Sequence, residues 1–450
     1  MPYIGLNDLE RQEMLQTTGI TSTDDLFIDI PENLLLKREL NLESGYQEWE
    51  LEKYFSKLGA KNQTQTRFTS FKGAGCYQHH VPALVKAISN RGEFLTAYTP
   101  YQPEVSQGTL EAIYKFQSFI VELTGMDIAN ASMYDGATAF AEAITMSWRI
   151  NKKRAVYLSK YIHPEYINVA KNYLEPLGIE FKFYESIADI PDGSTMVIAN
   201  PNFYGETINK DTIEILRKSV EDHNLFLIAV VPEAYALVAQ AKLAELGADI
   251  VCGSCQSFGN PSHYGGAQVG FIASKQEHVR QIPGRIIGKT ADRNGKEGYV
   301  LTFQAREQHI KRDRASSNIC TNQSLHALCT AVYLAQMGKT GLRNIAKDNW
   351  TKTRAFKAAL GTIDGIEIKT ENPFNEFCLS INPESPLNDL FKTYAVNVNK
   401  LLKDNSCLFS LDFSKNLYLV TVTELHSASE LNSFLEEIAT TLSEHGQELR

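Results

Sequence analysis

The stretch Tyr98 to Gly108 reads Tyr-Thr-Pro-Tyr-Gln-Pro-Glu-Val-Ser-Gln-Gly, so phenols, a carboxylate, amides and hydroxyls share one short segment. Pro100 and Pro103 fix φ and remove two amide donors, which makes the segment an ordered loop and not a helix or central strand. Tyr98, Thr99, Tyr101, Gln102 and Glu104 are therefore candidate ligand-facing groups on a rigid edge. The competing reading is a structural loop whose tyrosines pack at an interface. A second candidate is Asp135-Gly136-Ala137-Thr138, which opens an alanine-rich helix. A glycine turn at a helix start exposes free N–H groups and the positive dipole end, which suits a phosphate. Many helices begin this way, so the turn alone is a weak signal. A third runs from Gly247 to Gly266, an apolar strand, Asp249 to Cys252, entering a glycine-rich turn that contains Gln256 and no lysine.

Other reactive residues read more plainly. Cys252 and Cys255 form a C-x-x-C pair, but no second pair with ligand spacing exists, so they read as small side chains under a turn. His79 and His80 are adjacent and lack metal spacing; no metal is expected. His163 follows a short strand and is either a ring that covers a ligand or a capping or surface histidine. Arg306 to Arg314 mixes acids and bases at helical spacing, the pattern of a solvated or ion-paired helix face. The small polar run after it, Ala315 to Asn322, suits the lining of a cleft.

The elements that must hold these groups are legible from periodicity. Asn7 or Asp8 caps a short helix through Leu15, and residues 1–65 read as a charged helical arm without strand alternation. Lys72-Gly73-Ala74-Gly75 is a glycine turn before Val81 to Ile88, where Pro82 suits a first helical turn. Gln107 to Thr124 repeats apolar residues at helical spacing and stops at Gly125. Strands at Ala155–Leu158, Phe181–Tyr184, Thr195–Ala199, Phe226–Val231 and Asp249–Cys252 then alternate with helices at Pro164–Leu177 and Lys210–His223. This alternation predicts an α/β domain over residues 66–330, with a mostly parallel sheet covered on both faces. Beyond it, long helices and strands at Glu367–Lys369 and Leu417–Val422 predict a smaller α+β domain over 331–450.

Bulk properties exclude some classes. A chain of 450 residues with 43% hydrophobic and 22% charged residues has room for a large core. Its net charge of −9 argues against a nucleic-acid binder. Apolar runs such as Leu225 to Val231 are too short to span a bilayer, and the start shows no secretory signal. Seven cysteines fit reduced thiols in a cytoplasm.

The strand and glycine turn around Gln256 resemble the layout of pyridoxal-phosphate enzymes of the aspartate-aminotransferase-like fold (fold type I). These place their Schiff-base lysine at such a strand end, and that position here is Gln256. An amide nitrogen is not nucleophilic and cannot take that role. The same resemblance puts His163 where a ring stacks on the pyridine. It puts Pro232, with Glu233 beside it, where an aspartate faces the pyridine nitrogen; displaced by one residue, Glu233 is expected to point elsewhere. Asp135, Gly136, Ala137, Thr138, His163 and Gln256 would then form a vestigial cofactor pocket.

Longer runs narrow the resemblance. Thr96 to Gly108, Leu123 to Ser132, Arg306 to Ile310 and Ser317 to Thr321 resemble glycine dehydrogenase (decarboxylating), the P-protein family of the glycine cleavage system, in its alpha-chain form from two-chain bacterial enzymes. That family implies decarboxylation of glycine on pyridoxal phosphate and transfer of the aminomethyl group to the lipoyl arm of H-protein. It implies a beta subunit that binds the cofactor covalently through a lysine in a His-Lys-Thr-Phe context, of which Gln256-Ser257-Phe258 with Pro261 looks like a degenerate copy. It also implies an α2β2 assembly in which Tyr98, Thr99, Tyr101, Gln102 and Glu104 complete the beta-chain site. Gly136 stands where the single-chain form is often acidic, which weakens a catalytic role for that turn. The alternatives are a purely structural or regulatory partner of beta, and a stand-alone enzyme using another lysine such as Lys275.

Overall fold

A computed structural model describes residues 5–62, 64, 68–402 and 414–445 of the chain. Two compact units are present, Met1–Arg67 and Phe68–Arg450. In the first, the helix Asp8–Thr18 starts at Asn7, whose side chain accepts the Glu10 N–H while the Glu10 carboxylate accepts the Asn7 N–H. This reciprocal cap satisfies two otherwise free donors, and Gly19 ends the helix at φ 75°. A second helix, Glu48–Gly59, carries Trp49, Tyr54, Phe55 and Leu58, all exposed. No described residue of this unit is buried.

The second unit is built on a seven-stranded sheet. Its strands are β1 (Ile128–Ala129), β2 (Ala155–Leu158), β3 (Glu180–Phe183), β4 (Thr195–Ala199), β5 (Phe226–Val231), β6 (Ile250–Ser254) and β7 (Gly270–Ser274), in the order β1-β7-β6-β5-β4-β2-β3. The run from β6 to β3 is parallel, as the alternation predicts. β7 is antiparallel to β6 and to β1, which the sequence reading did not specify. Burial on both faces explains why β5 is an unbroken apolar run. Ile228 and Val230 pack with Ile144 and Ile167, from the helices Gly136–Asn151 and Pro164–Leu174. Leu227, Ala229 and Val231 pack on the other face with Phe116 and Ile120 of the helix Gln107–Thr124 and Leu216 of Lys210–Asp222. Each buried Leu or Ile contributes about 1.5–3 kcal/mol.

A hairpin of β8 (Ile286–Ala291) and β9 (Glu297–Thr302) follows. The long helix Ser324–Leu360, broken at Gly338, then leads to a four-stranded antiparallel sheet. This sheet comprises β10 (Ile366–Ile368), β11 (Glu376–Ile381), β12 (Val396–Asn397) and β13 (Asn416–Thr421), ordered β10-β11-β13-β12. Leu431, Phe434, Ile438 and Leu442 of the helix Ala428–Glu444 close it, with Phe71 and Phe356 in the same core. The small α+β layer expected from the C-terminal pattern is thus present.

Two helix stops fall at the expected glycines, the second after a closing 3-10 turn, Glu175–Leu177. Gly125 takes φ 76° after Thr124, and Gly178 takes φ 65° after Leu177. Arg306 to Arg314 differs from its expected continuous helix. It breaks into the turns Gln304–Arg306, Gln308–Lys311 and Arg312–Arg314, because Glu307 is extended at ψ 159° and Arg312 takes φ 54°, while Arg306 turns inward and donates to the carbonyls of Phe303 and Gly284. No helix among the described residues is long and apolar enough to cross a membrane.

Candidate functional site

The parallel strands deliver their C-terminal ends to one edge of the sheet, where ligands bind in open α/β folds. Gln256 lies just past β6 at this edge and is 2% exposed. Its Oε1 accepts the Tyr77 N–H at 2.9 Å, and its Nε2 donates to the Asn260 carbonyl at 2.7 Å. One acceptor and one donor are both used, a pairing an amide offers and an ammonium group does not.

The segment Gly73 to Tyr77 is stitched through the same region. His163 Nδ1 accepts the Glu165 N–H at 3.1 Å, so its Nε2 carries the hydrogen and donates to the Ala74 carbonyl at 2.9 Å. Burial holds the ring neutral, with its pKa lowered to about 4. A Cβ on Gly75, at φ 91°, would meet that ring at 3.3 Å, so the chain's own backbone covers it. Glu376 of β11 accepts from Ala74 N at 2.7 Å, from the Thr421 hydroxyl at 2.7 Å and from the Tyr77 hydroxyl at 3.0 Å. A Cβ on Gly73 would stand 2.0 Å from the Thr421 hydroxyl, which leaves glycine as the residue that fits.

The phosphate-type turn is also satisfied internally. Asp135 Oδ1 accepts the Thr138 N–H at 2.7 Å, and Thr138 Oγ1 donates to Asp135. That carboxylate already sits on the positive end of the helix, where an anion would compete with it. A Cβ on Gly136 would lie 2.0 Å from the Tyr166 hydroxyl. Ala137, in the first turn of this helix, is half-buried.

Glu233 does not point away as its one-residue displacement suggested. It is fully buried, and its Oε2 accepts the Ser257 hydroxyl at 2.8 Å, next to Gln256. His79 lies between two carboxylates, with Nδ1 2.9 Å from Glu424 Oε2 and Nε2 3.8 Å from Glu233 Oε2. Burial opposes its protonation, yet Glu233 and Glu424 outweigh that penalty and raise its pKa to about 9. Burial pushes Glu424 the other way, and His79 still holds it at about 2. A cationic His79 thus bridges the end of β5 to the segment after β13.

The proline loop forms a separate edge. Pro103–Val105 is a single 3-10 turn. The Gln107 amide ties its base to β9, donating to the Pro103 and Tyr299 carbonyls at 2.7 and 2.9 Å and accepting the Tyr299 N–H at 2.9 Å. Tyr98 is 89% exposed, Gln102 and Glu104 are exposed, and Thr99 is half-buried with its carbonyl accepting the Tyr101 N–H. The Tyr101 ring meets His309 edge-on at 5.7 Å, and the Arg285 guanidinium lies 5.7 Å from the ring centre. Arg285 is buried and donates to Thr321, Asn322 and the Cys320 carbonyl, each at 3.3 Å, with Glu307 at 3.9 Å. Sequence reasoning missed Arg285. Its one signal is a lone cation between apolar Ile282 and Ile286–Ile287.

The remaining candidates lie elsewhere. Cys252 and Cys255 are fully buried, and burial pushes both thiols up. No group of three or more His, Cys, Asp or Glu that could hold a metal occurs among the described residues. Lys275 pairs with Asp249. It follows β7, whose end aligns with Ile250 at the start of β6, so it lies at the opposite end of that strand from Gln256.

Residues 1–437 match the family described as glycine cleavage system P-protein. A "probable glycine dehydrogenase (decarboxylating) subunit 1" of Geobacillus sp. (strain WCH70) is 40% identical, over 97% of this chain and 98% of that protein. The protein of the same name from Desulfitobacterium hafniense (strain DSM 10664 / DCB-2) is 43% identical, over 83% of this chain and 86% of its own length. A crystal structure of glycine decarboxylase (P-protein) of the glycine cleavage system, in inhibitor-bound form, superposes with a TM-score of 0.86 at 36% identity. It covers 98% of this chain and all of that one. An Oryza sativa TDC with PLP and tryptamine superposes at 0.64 with 10% identity, covering 98% of this chain and 99% of that one, a likeness of fold alone.

Proposed function

This chain belongs to the glycine cleavage system P-protein family, and we propose that it is the subunit of glycine dehydrogenase (decarboxylating) that carries no cofactor of its own. Pyridoxal phosphate serves the enzyme as a whole. The residues of this chain do not fit it. The observation that carries the reading is Gln256, held by the Tyr77 N–H and the Asn260 carbonyl where the Schiff-base lysine is expected. His163 is covered by Gly75, and Asp135 occupies the helix end that would take a phosphate. The covalent site therefore belongs to the partner subunit, in an α2β2 assembly of the cytoplasm that takes glycine and passes the aminomethyl group to lipoylated H-protein. We read residues 1–65 as an arm, 66–330 as the large domain and 331–450 as the small one.

In this reading Tyr98, Thr99, Tyr101, Gln102 and Glu104 complete the partner's site. The tether through Gln107 holds their backbone, so a phenol and a carboxylate are presented with little ordering cost left to pay. Arg285 and His309 steady the Tyr101 ring from behind.

Two results test the assignment. The isolated chain, incubated with pyridoxal phosphate at one equivalent and treated with borohydride, yields no pyridoxyl-lysine by mass spectrometry. A stable adduct on any lysine at that loading overturns the reading. Co-expressed with the partner subunit, the chain runs as α2β2 and decarboxylates glycine, whereas removal of residues 1–62 leaves separate subunits at micromolar concentration. The motive is an arm that buries none of its own described residues. An intact, active assembly after truncation removes the arm's proposed role.

A further inference from the structure

A cleft of ≈ 510 Å³ opens between the helices Gly136–Asn151 and Pro164–Leu174 and the segment Ala315 to Asn318. Its walls include Glu142, Arg149, Trp148, Asn172 and Ser316. Glu142 is 2% exposed, and its Oε2 has no hydrogen-bond partner among the described residues. Arg149 donates from Nη2 to the Gln281 carbonyl at 2.8 Å, while its Nε and Nη1 are buried and unpartnered. The two residues are seven apart on one helix, two turns, and so share a face. No ion pair within 4.0 Å joins them among the described residues, although each charge favours the other's ionised form. Burial raises the Glu142 carboxyl against the pull of the Ser317 hydroxyl and Arg149, and it lowers the Arg149 pKa to about 10 against the pull of Glu142, with Arg306 adding to the lowering, so desolvation outweighs the partners each charge has. Buried charges normally carry a partner, because an uncompensated one costs several kcal/mol.

We propose that this cleft binds a small zwitterion of the amino-acid class, its ammonium group on Glu142 and its carboxylate on Arg149. A monoanion would leave Glu142 Oε2 unpartnered, and a monocation would leave Arg149 Nε and Nη1 unpartnered. A molecule with both charges answers both, and the gap between the two side chains sets its length. Neither residue is among the groups assigned above to the partner's site, and the inference does not depend on where pyridoxal phosphate sits.

The test is calorimetric titration of the full chain, free of partner and of pyridoxal phosphate, with glycine, β-alanine and 4-aminobutyrate, and with acetate and methylamine as single-charge controls. At least one of the three zwitterions binds, and the controls do not. Glu142→Gln and Arg149→Met each weaken that binding about tenfold or more, while unfolding midpoints stay close to wild type. If either variant fails to fold, Asn172→Leu, which narrows the cleft from its other wall, gives the same loss. No binding by any of the three, or binding unchanged in the variants, overturns the proposal. So does a wild-type chain that binds none of the three while the variants impair assembly with the partner, because the cleft is then a subunit contact.

Discussion

Tyr101→Phe, or Glu104→Gln, in the assembled enzyme lowers glycine decarboxylation by about 100- to 1000-fold, the usual cost of removing one preorganised polar contact to developing charge. Assembly and the cofactor's absorbance in the partner subunit stay as they are. The loop backbone is set by Pro100, Pro103 and the three Gln107 hydrogen bonds, none of which these substitutions touch. Tyr101→Phe keeps the ring on His309 and beneath Arg285, so the loss reports the hydroxyl and not the packing. Single-turnover decarboxylation at saturating glycine makes the measurement. Near-wild-type rates in both variants assign the loop a structural role, with Tyr101 as an interface ring.

His79→Ala destabilises the isolated chain by about 3–5 kcal/mol, since it leaves the buried Glu233 and the half-buried Glu424 without the cation between them. The same group sets an alkaline limb. Its folded pKa of about 9 exceeds the ordinary 6.5, so the stabilisation is full below pH 6.5 and is lost as pH climbs through 9. That limb spans about 3 kcal/mol. On the acid side Glu424, held at about 2 against 4.5, contributes fully above pH 4.5 and loses its share as pH falls toward 2. Denaturant unfolding of wild type and His79→Ala across this range shows the limb in the first and its absence in the second. A wild-type stability that is flat from pH 7 to about 9.5 contradicts a charged His79.

The large sheet was legible because its strands are buried on both faces and read as apolar blocks between helices with glycine stops. Phe226–Val231 and Gln107–Thr124 are of this kind. The β8–β9 hairpin was not legible. Gly288, Lys289 and Thr290 interrupt its apolar pattern on an exposed ribbon, and its pairing is fixed by contacts to the Gln107 region, far away in sequence. β11 was missed because it opens on Glu376, a carboxylate buried by partners some 300 residues earlier. The functional reading divides in the same way. Gln256 and the proline loop were visible as residue types at telling positions. The packing of Gly73 to Tyr77 against His163 and Gln256 was not, since a glycine turn shows in sequence without showing what lies against it. Arg285 and the His79 bridge are likewise products of tertiary approach alone.

The helices of the arm end in good caps yet enclose nothing, with Trp49, Phe55 and Ile28 among the side chains left in water. A domain with its own core stays soluble whatever the cell does with its partner. A chain with this arm does not have that independence: each surplus copy adds sticky apolar surface, and crowding surplus copies together favours aggregation over storage. On the two-subunit reading proposed above, the yield of usable enzyme is then set by the scarcer subunit, and the arm's leucines and aromatic rings ask for matched synthesis of the two chains.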